Sequence, residues 1–206
     1  MAAGLRVSAK FLTAAADARQ FPAAGPPEIA FLGRSNVGKS SLINSLLGDK
    51  VAKTSSTPGR TRTINFFEIR FAGRPRPDLL FVDLPGYGYA KLPRDVTAEW
   101  PKFIEPYLRE RGPLALAIVL VDTCIPVQQS DKQMIEWLQA QGRSYLVVGT
   151  KADRVSGNAL RNALRKMQEE FQLEQILPYS ARTGVGKDEL WRALRSTTGL
   201  DQENAG

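Results

Sequence analysis

The sequence contains no histidine. That absence removes Ser-His-Asp and Cys-His catalysis, zincin-type metal sites and any imidazole general base near neutral pH. Cys124 is the single cysteine, which excludes an intramolecular disulfide and a thiolate metal cluster. No apolar run reaches the roughly eighteen residues a membrane-spanning helix needs. Within residues 1–20, Lys10, Asp17 and Arg19 interrupt the alanines, so a compact basic-then-apolar signal pattern is missing as well. A cytoplasmic protein without membrane insertion is therefore expected. Its chemistry falls to oxygen ligands, lysine, backbone amides and metal ions.

What is present suits an ordinary globular chain. With 206 residues, 43% hydrophobic and 24% charged, it fits one domain with a sizeable core. The formal net charge of +7 leans toward an anionic partner larger than a nucleotide, although solubility alone accounts for such a value. Six basic side chains (Lys53, Arg60, Arg62, Arg70, Arg74, Arg76) stand against Glu68 alone in residues 51–76. A basic ridge that attracts RNA phosphates is expected there.

The chain is organised around Gly33-Arg34-Ser35-Asn36-Val37-Gly38-Lys39-Ser40, a G-x-x-x-x-G-K-S phosphate loop. Glu28 to Leu32 before it is a short apolar run suited to a buried strand, and Ser41 to Leu47 after it carries Leu42, Ile43, Leu46 and Leu47 at helical spacing. Strand, glycine turn and helix are the setting in which backbone N–H groups and a helix N-terminus converge on phosphate. Lys39 is expected on the β- and γ-phosphates and the Ser40 hydroxyl on Mg²⁺.

Two more strands end in polar residues. Asp78 to Leu84 delivers Asp83 at a strand end, where it can hold Mg²⁺ through water, and Leu84-Pro85-Gly86 follows, with the Gly86 N–H facing a γ-phosphate. Ser144 to Gly149 ends in Thr150-Lys151-Ala152-Asp153, whose carboxylate can take both hydrogen bonds from the guanine N1–H and 2-amino group. The Lys151 stem can lie along the base. Ile176 to Tyr179 runs into Ser180, Ala181 and Arg182, whose backbone can meet the guanine carbonyl. Between the first helix and the strand at Ile64 lies a polar loop containing Pro58, Gly59, Arg60 and Thr61. In phosphate-hydrolysing switches this position closes over the metal, which makes Thr61 a candidate ligand. The metal set is thus Ser40, Thr61 and Asp83.

Alternating strands and helices predict an α/β fold of three layers, a mostly parallel sheet with helices on both faces, as in a P-loop NTPase with a Ras-like G domain. Residues 1–27 form a lead-in in which Ser8 to Leu12 can add an edge strand, 28–198 the G domain, and 199–206 a tail expected to be mobile. Trp100, Trp137 and Trp191 are assigned to packing.

These motifs resemble the EngB (YihA/YsxC) family of bacterial ribosome-biogenesis GTP-binding proteins, within the TrmE–Era-type GTPases. The resemblance covers roughly residues 8–198 and is carried by Glu28 to Asn44, Thr57 to Thr61, Asp83-Leu84-Pro85-Gly86-Tyr87-Gly88-Tyr89-Ala90, Trp100 and Tyr107-Leu108. It implies binding of GTP and GDP, slow GTP hydrolysis, and a partnership with the large ribosomal subunit or its precursor, rRNA and ribosomal proteins included. A link to cell division and septation is implied too. The family's asparagine is Thr150 here, and Thr123-Cys124 replaces an Arg-rich dipeptide after Asp122. Tyr87 stands where many GTPases place a water-orienting glutamine, so turnover is expected to be slow, with Lys39, Thr61 and Gly86 the transition-state contacts. Asn36 either helps hold K⁺, as the resemblance suggests, or caps its own loop. The competing functions are a GTP-stabilised binding module with incidental hydrolysis, and a P-loop kinase or ATPase.

Overall fold

Two central strand segments set the architecture: Glu28–Gly33 is buried at every position and Leu114–Asp122 at all but two. Such runs are excluded from water on both faces, the requirement of a central parallel strand. A computed structural model of the chain describes residues 6–52, 63–87 and 104–200. Its strands are β1 (Val7–Ala15), β2 (Glu28–Gly33), β3 (Ile64–Phe71), β4 (Leu79–Asp83), β5 (Leu114–Asp122), β6 (Tyr145–Thr150) and β7 (Leu177–Pro178). They form one sheet in the order β1-β3-β4-β2-β5-β6-β7, in which only β3 runs against the others.

The helices are α1 (Lys39–Leu47), α2 (described over 104–110), α3 (Gln129–Ala140), α4 (Gly157–Phe171) and α5 (Lys187–Thr198). Strand periodicity sends alternate side chains to two separate cores. Ala30, Leu32, Ala117, Val119 and Val121 meet Tyr107, Ile135, Leu138 and Phe171 from α2, α3 and α4. Ile29, Phe31, Leu116, Ile118 and Leu120 meet Leu42, Leu46, Leu190 and Leu194 from α1 and α5. The result is the three-layer α/β arrangement. Trp191 belongs to the second core, its ring 5.7 Å from Phe81 and its indole N–H donating to the Leu46 carbonyl at 3.2 Å.

Several boundaries differ from the sequence reading. The strand expected at Ser144 to Gly149 is shifted to Tyr145–Thr150, and Ser144 instead closes the register by accepting from the Ala117 N–H at 2.9 Å. The last strand is only Leu177–Pro178, and just beyond it the Tyr179 N–H donates to the Gly149 carbonyl of β6 at 2.8 Å. The edge strand is longer than Ser8 to Leu12, pairing with β3 from Val7 opposite Phe71 to Ala15 opposite Ile64 with a bulge at Leu12. At the other end Gly199 adopts φ 74 to cap α5, and Leu200 packs into the core beneath it. Residues 1–5 and 201–206 lie outside the described residues.

The expected basic ridge is largely paired off where it is described. Arg74 binds the buried Asp78 carboxylate at 2.8 Å, and Asp78 also accepts from the Phe71 N–H at 2.8 Å. Arg70 pairs with Glu68 at 3.2 Å. Arg74 is thus a tie of the β3–β4 turn before it is a docking charge. Lys53, Arg60 and Arg62 lie outside the described residues.

The amino end of the sheet is fastened by one buried charge. Glu28 is fully buried at the start of β2 and accepts from the Tyr107 hydroxyl at 2.9 Å and from Arg111 Nε at 3.0 Å. Arg111 also donates to the Pro22 carbonyl at 2.9 Å and lies over the Phe21 ring, joining the lead-in, β2 and the end of α2. Burial and the adjacent Glu28 push the Tyr107 phenol pKa well up, so it stays a donor. Replacing Arg111 with alanine leaves Glu28 as an uncompensated buried charge and is expected to cost about 3–5 kcal/mol in urea unfolding. The double variant with Glu28→Gln should recover part of that loss; equal stability of Arg111→Ala and wild type would contradict this role.

Candidate functional site

The carboxyl ends of β2, β4 and β6 meet along one edge of the sheet, and every polar motif of the sequence lies there. The loop from Gly33 to Lys39 leaves β2 and enters α1. Asn36 and Gly38 turn it with φ of 64 and 105, so that the chain reverses before the helix begins. Gly33 admits no side chain: a Cβ there would lie 2.7 Å from the Val37 side chain and 3.1 Å from the Leu120 carbonyl. Lys39 opens α1, with Ser40 next to it.

Lys39 is 9% exposed and Asp83 4%, and the lysine ammonium donates directly to the Asp83 carboxylate. The cation expected on phosphate and the carboxylate expected at the metal therefore hold one another. Two buried charges need such mutual pairing, because each alone would cost several kcal/mol of desolvation. The stretch after Asp83 stays against the phosphate loop. Leu84 N–H donates to the Phe31 carbonyl at 3.2 Å, Tyr87 N–H to the Gly33 carbonyl at 3.3 Å, and Ser35 N–H to the Tyr87 carbonyl at 3.3 Å. Gly86 lies so close to this loop that a Cβ would meet Ser35 N and Oγ at 3.0 Å.

The second half of the site is built from β6. Thr150 Oγ1 donates to the Val37 carbonyl at 2.6 Å, so its hydroxyl ties the base loop to the phosphate loop. Lys151 takes φ 59, pairs with Asp122 at the end of β5 and donates to the Asn36 carbonyl at 2.9 Å. Ala152 and Asp153 follow in a single 3-10 turn. Asp153 accepts from the Ser180 hydroxyl at 2.6 Å and from Arg182 Nε at 2.8 Å; these two bonds, Ser180 first, hold its carboxyl below the usual range. Its edge opens on a cavity of about 600 Å³ lined by Gly38, Ser41, Lys151, Asp153, Ala181 and Arg182.

Gly33 to Ser41, Asp83 to Gly86, Thr150 to Asp153 and Tyr179 to Ala181 thus gather along one rim. Two side chains have further contacts. Tyr179 is among the residues lining the cavity, and it also packs in the α1/α5 core and donates its hydroxyl to Ser45 at 3.1 Å. Arg34 turns its guanidinium to Tyr87 and Asp131, which both feel its charge. Pro58, Gly59, Arg60 and Thr61 lie outside the described residues. Sequence reading missed Asp122 as the partner of Lys151, although it ends an apolar strand just as Asp83 does. It also missed the Arg182 side chain, for which the linear sequence offers no signal.

A cavity that ends on a carboxylate and a lysine stem suits a base edge with two donors. Asp153→Asn reverses one acceptor, and the expected loss of GTP affinity is about a hundredfold or more, with xanthine nucleotides becoming the better ligands. Isothermal titration with GTP and XTP checks this; an unchanged preference would remove Asp153 from the base pocket.

Comparison with known proteins agrees with this geometry. A family model described as "50S ribosome-binding GTPase" matches residues 28–151. A probable GTP-binding protein EngB from Koribacter versatilis (strain Ellin345) is 61% identical over 197 residues, covering 96% of this chain and 97% of that protein. Its counterpart from Desulforamulus reducens is 47% identical over 192 residues, covering 91% of each. Among solved structures, that of a probable GTP-binding protein engB superposes with a TM-score of 0.66 at 23% identity, over 84% of this chain and 99% of that one. Era in complex with MgGDPNP and nucleotides 1506–1542 of 16S ribosomal RNA gives 0.69 at 23% identity, over 83% of this chain and 56% of that one. At that identity the structural matches establish the fold. The matched GTPase region spans more than half the chain and the sequence relatives cover nearly all of it: the chain belongs to the 50S ribosome-binding GTPase family and, within it, to the EngB GTP-binding proteins.

Proposed function

We propose that this GTPase is a nucleotide-operated switch in large ribosomal subunit assembly. The observation that carries the proposal is the buried contact of Lys39 with Asp83 beside the close approach of Gly86 to Ser35. A triphosphate entering this loop competes for Lys39, releases the Asp83 carboxylate and meets the Gly86 N–H. Nucleotide arrival is thereby coupled to the chain that follows β4.

The donor set fits Mg²⁺. Ser40 and Asp83 offer a hydroxyl and a carboxylate, and among the described residues no three His, Cys, Asp or Glu gather into a cage. Mg²⁺ asks for little more, since it takes one or two protein oxygens and completes its shell with phosphate and water. Ser40, Asp83 and the proposed Thr61 would hold it, and it would neutralise charge shared between the β- and γ-phosphates. Asn36 is the candidate K⁺ contact in the same loop.

Three features support ribosomal particles as the partner. The matching family model carries that description. The net charge is +7. The Era structure similar in fold holds a ribosomal RNA segment. No helix among the described residues is long and apolar enough to cross a membrane. The link to cell division and septation rests on the family resemblance alone. A reading as a binding module with incidental hydrolysis draws on Tyr87, whose phenol is buried toward Asp131. A kinase or ATPase is disfavoured by Asp153 at the base edge.

Co-sedimentation with large ribosomal subunits and their precursors separates the first two readings. The switch predicts binding several-fold stronger with a GTP analogue than with GDP, together with GTP turnover that rises on adding particles and is faster in K⁺ than in Na⁺. Equal binding in both nucleotide states, with turnover indifferent to particles, would leave the module.

A further inference from the structure

Three polar side chains, two of them buried and the third half-buried, converge from three separate elements behind the phosphate site, and nothing derived so far uses them. Arg34 is the second residue of the phosphate loop, Tyr87 follows Gly86, and Asp131 lies in the first turn of α3. Tyr87 is 7% and Asp131 3% exposed. Tyr87 lines one small cavity with Ser130, Gln133 and Met134 of α3, the Asp131 carboxyl is near enough to act on its phenol, and the Arg34 guanidinium acts on both. Arg34 Nε and Asp131 Oδ1 are buried and find no hydrogen-bond partner among the described residues. Buried polar atoms are ordinarily satisfied, so the cluster has bonding capacity in reserve that a small movement of the loop can use.

The backbone says which movement. Tyr87 is bridged to Arg34 through bonds to Gly33 and Ser35. On the other side of Gly86, Leu84 is buried and bonded to Phe31. Gly86 is thus suspended between two anchored residues, and the direction of its N–H depends on where Tyr87 is held. We propose that Asp131, acting through the Tyr87 phenol and assisted by Arg34, is a positioning residue that sets the Gly86 N–H for the γ-phosphate and ties α3 to the nucleotide state. This rests on the GTP reading of the site. Phenol and guanidinium donate, the carboxylate accepts, and the strut is fully formed when Gly86 closes on phosphate.

Asp131 also titrates in a useful range. Burial raises its pKa to about 6, opposed by the Tyr87 hydrogen bond and the Arg34 charge and assisted by Asp122 at the end of β5. From α2, Glu105 lines the same small cavity as Tyr87. Above pH 6 the carboxylate can accept from its neighbours; below it the carboxyl is protonated and its attraction to the Arg34 charge is lost.

The test compares affinities for a non-hydrolysable GTP analogue and for GDP, by titration between pH 5 and 8, in wild type, Asp131→Asn, Tyr87→Phe and the double variant. The ratio of the two affinities reports the γ-phosphate contact alone. At pH 7.5 each single variant is expected to lower that ratio about three- to tenfold, the range for one hydrogen bond of ordinary net strength. The double variant should lower it no further than the worse single one. In wild type the ratio should fall as pH drops through 6, and Asp131→Asn should flatten that profile. An unchanged ratio, additive losses, or equal loss of both affinities with a lowered melting temperature would each overturn the proposal. Tyr87→Phe keeps the ring and its packing, so it decides the question should Asp131→Asn fail to fold. Failure of wild type to bind GTP would instead remove the reading on which this rests.

Discussion

A lysine and an aspartate paired out of water at the carboxyl edge of the sheet are the constraint on which the rest of this molecule depends. Lys39 is fixed by the first turn of α1 and Asp83 by the last residue of β4, so their contact records how the phosphate loop and the switch strand are placed. An apolar pair of equal volume would stabilise the fold at least as well. The ion pair makes sense as a functional arrangement, because each partner has a second use. Phosphate can take the lysine and a cation the carboxylate, and neither group is then left buried and alone. Around that pair the backbone bonds of Leu84, Ser35 and Tyr87 hold the two loops in register.

The two halves of the site are coupled by short polar ties more than by packing. Thr150 reaches the Val37 carbonyl and Lys151 the Asn36 carbonyl, so the base loop is bonded to the turn that must receive phosphate. A guanine seated on Asp153 would therefore stiffen the phosphate loop as well. On the opposite side Arg34, Tyr87 and Asp131 join the phosphate loop to α3. The phosphate loop is thus flanked on both sides by polar side chains, one flank toward the base loop and the other toward α3.

Much of this was legible in the sequence, for local reasons. Apolar runs ending in glycine or aspartate marked β2 and β4, and in the phosphate loop close approach at Gly33 and the φ of Gly38 make those glycines necessary. What was not legible comes from residues brought together over long distances. Thr150 gave no hint that its hydroxyl would tie to the Val37 carbonyl, since the two are 113 residues apart. The basic segment looked like an unpaired ridge because its partner Asp78 lies just beyond it and is turned inward by the β3–β4 turn. Arg34 looked like a phosphate ligand because it sits inside the motif, yet burial and the charge of Asp131 draw its guanidinium away. Length and charge counts record what a segment carries; pairing decides what it shows.

The central claim is that Lys39 and Asp83 hold each other only until nucleotide arrives. A crystal structure with Mg²⁺ and a non-hydrolysable GTP analogue tests it most directly. The account predicts that Lys39 Nζ leaves Asp83 for the β- and γ-phosphate oxygens, that Asp83 turns to the metal shell, and that the Gly86 N–H points at the γ-phosphate. A bound nucleotide with the Lys39–Asp83 contact intact would contradict it.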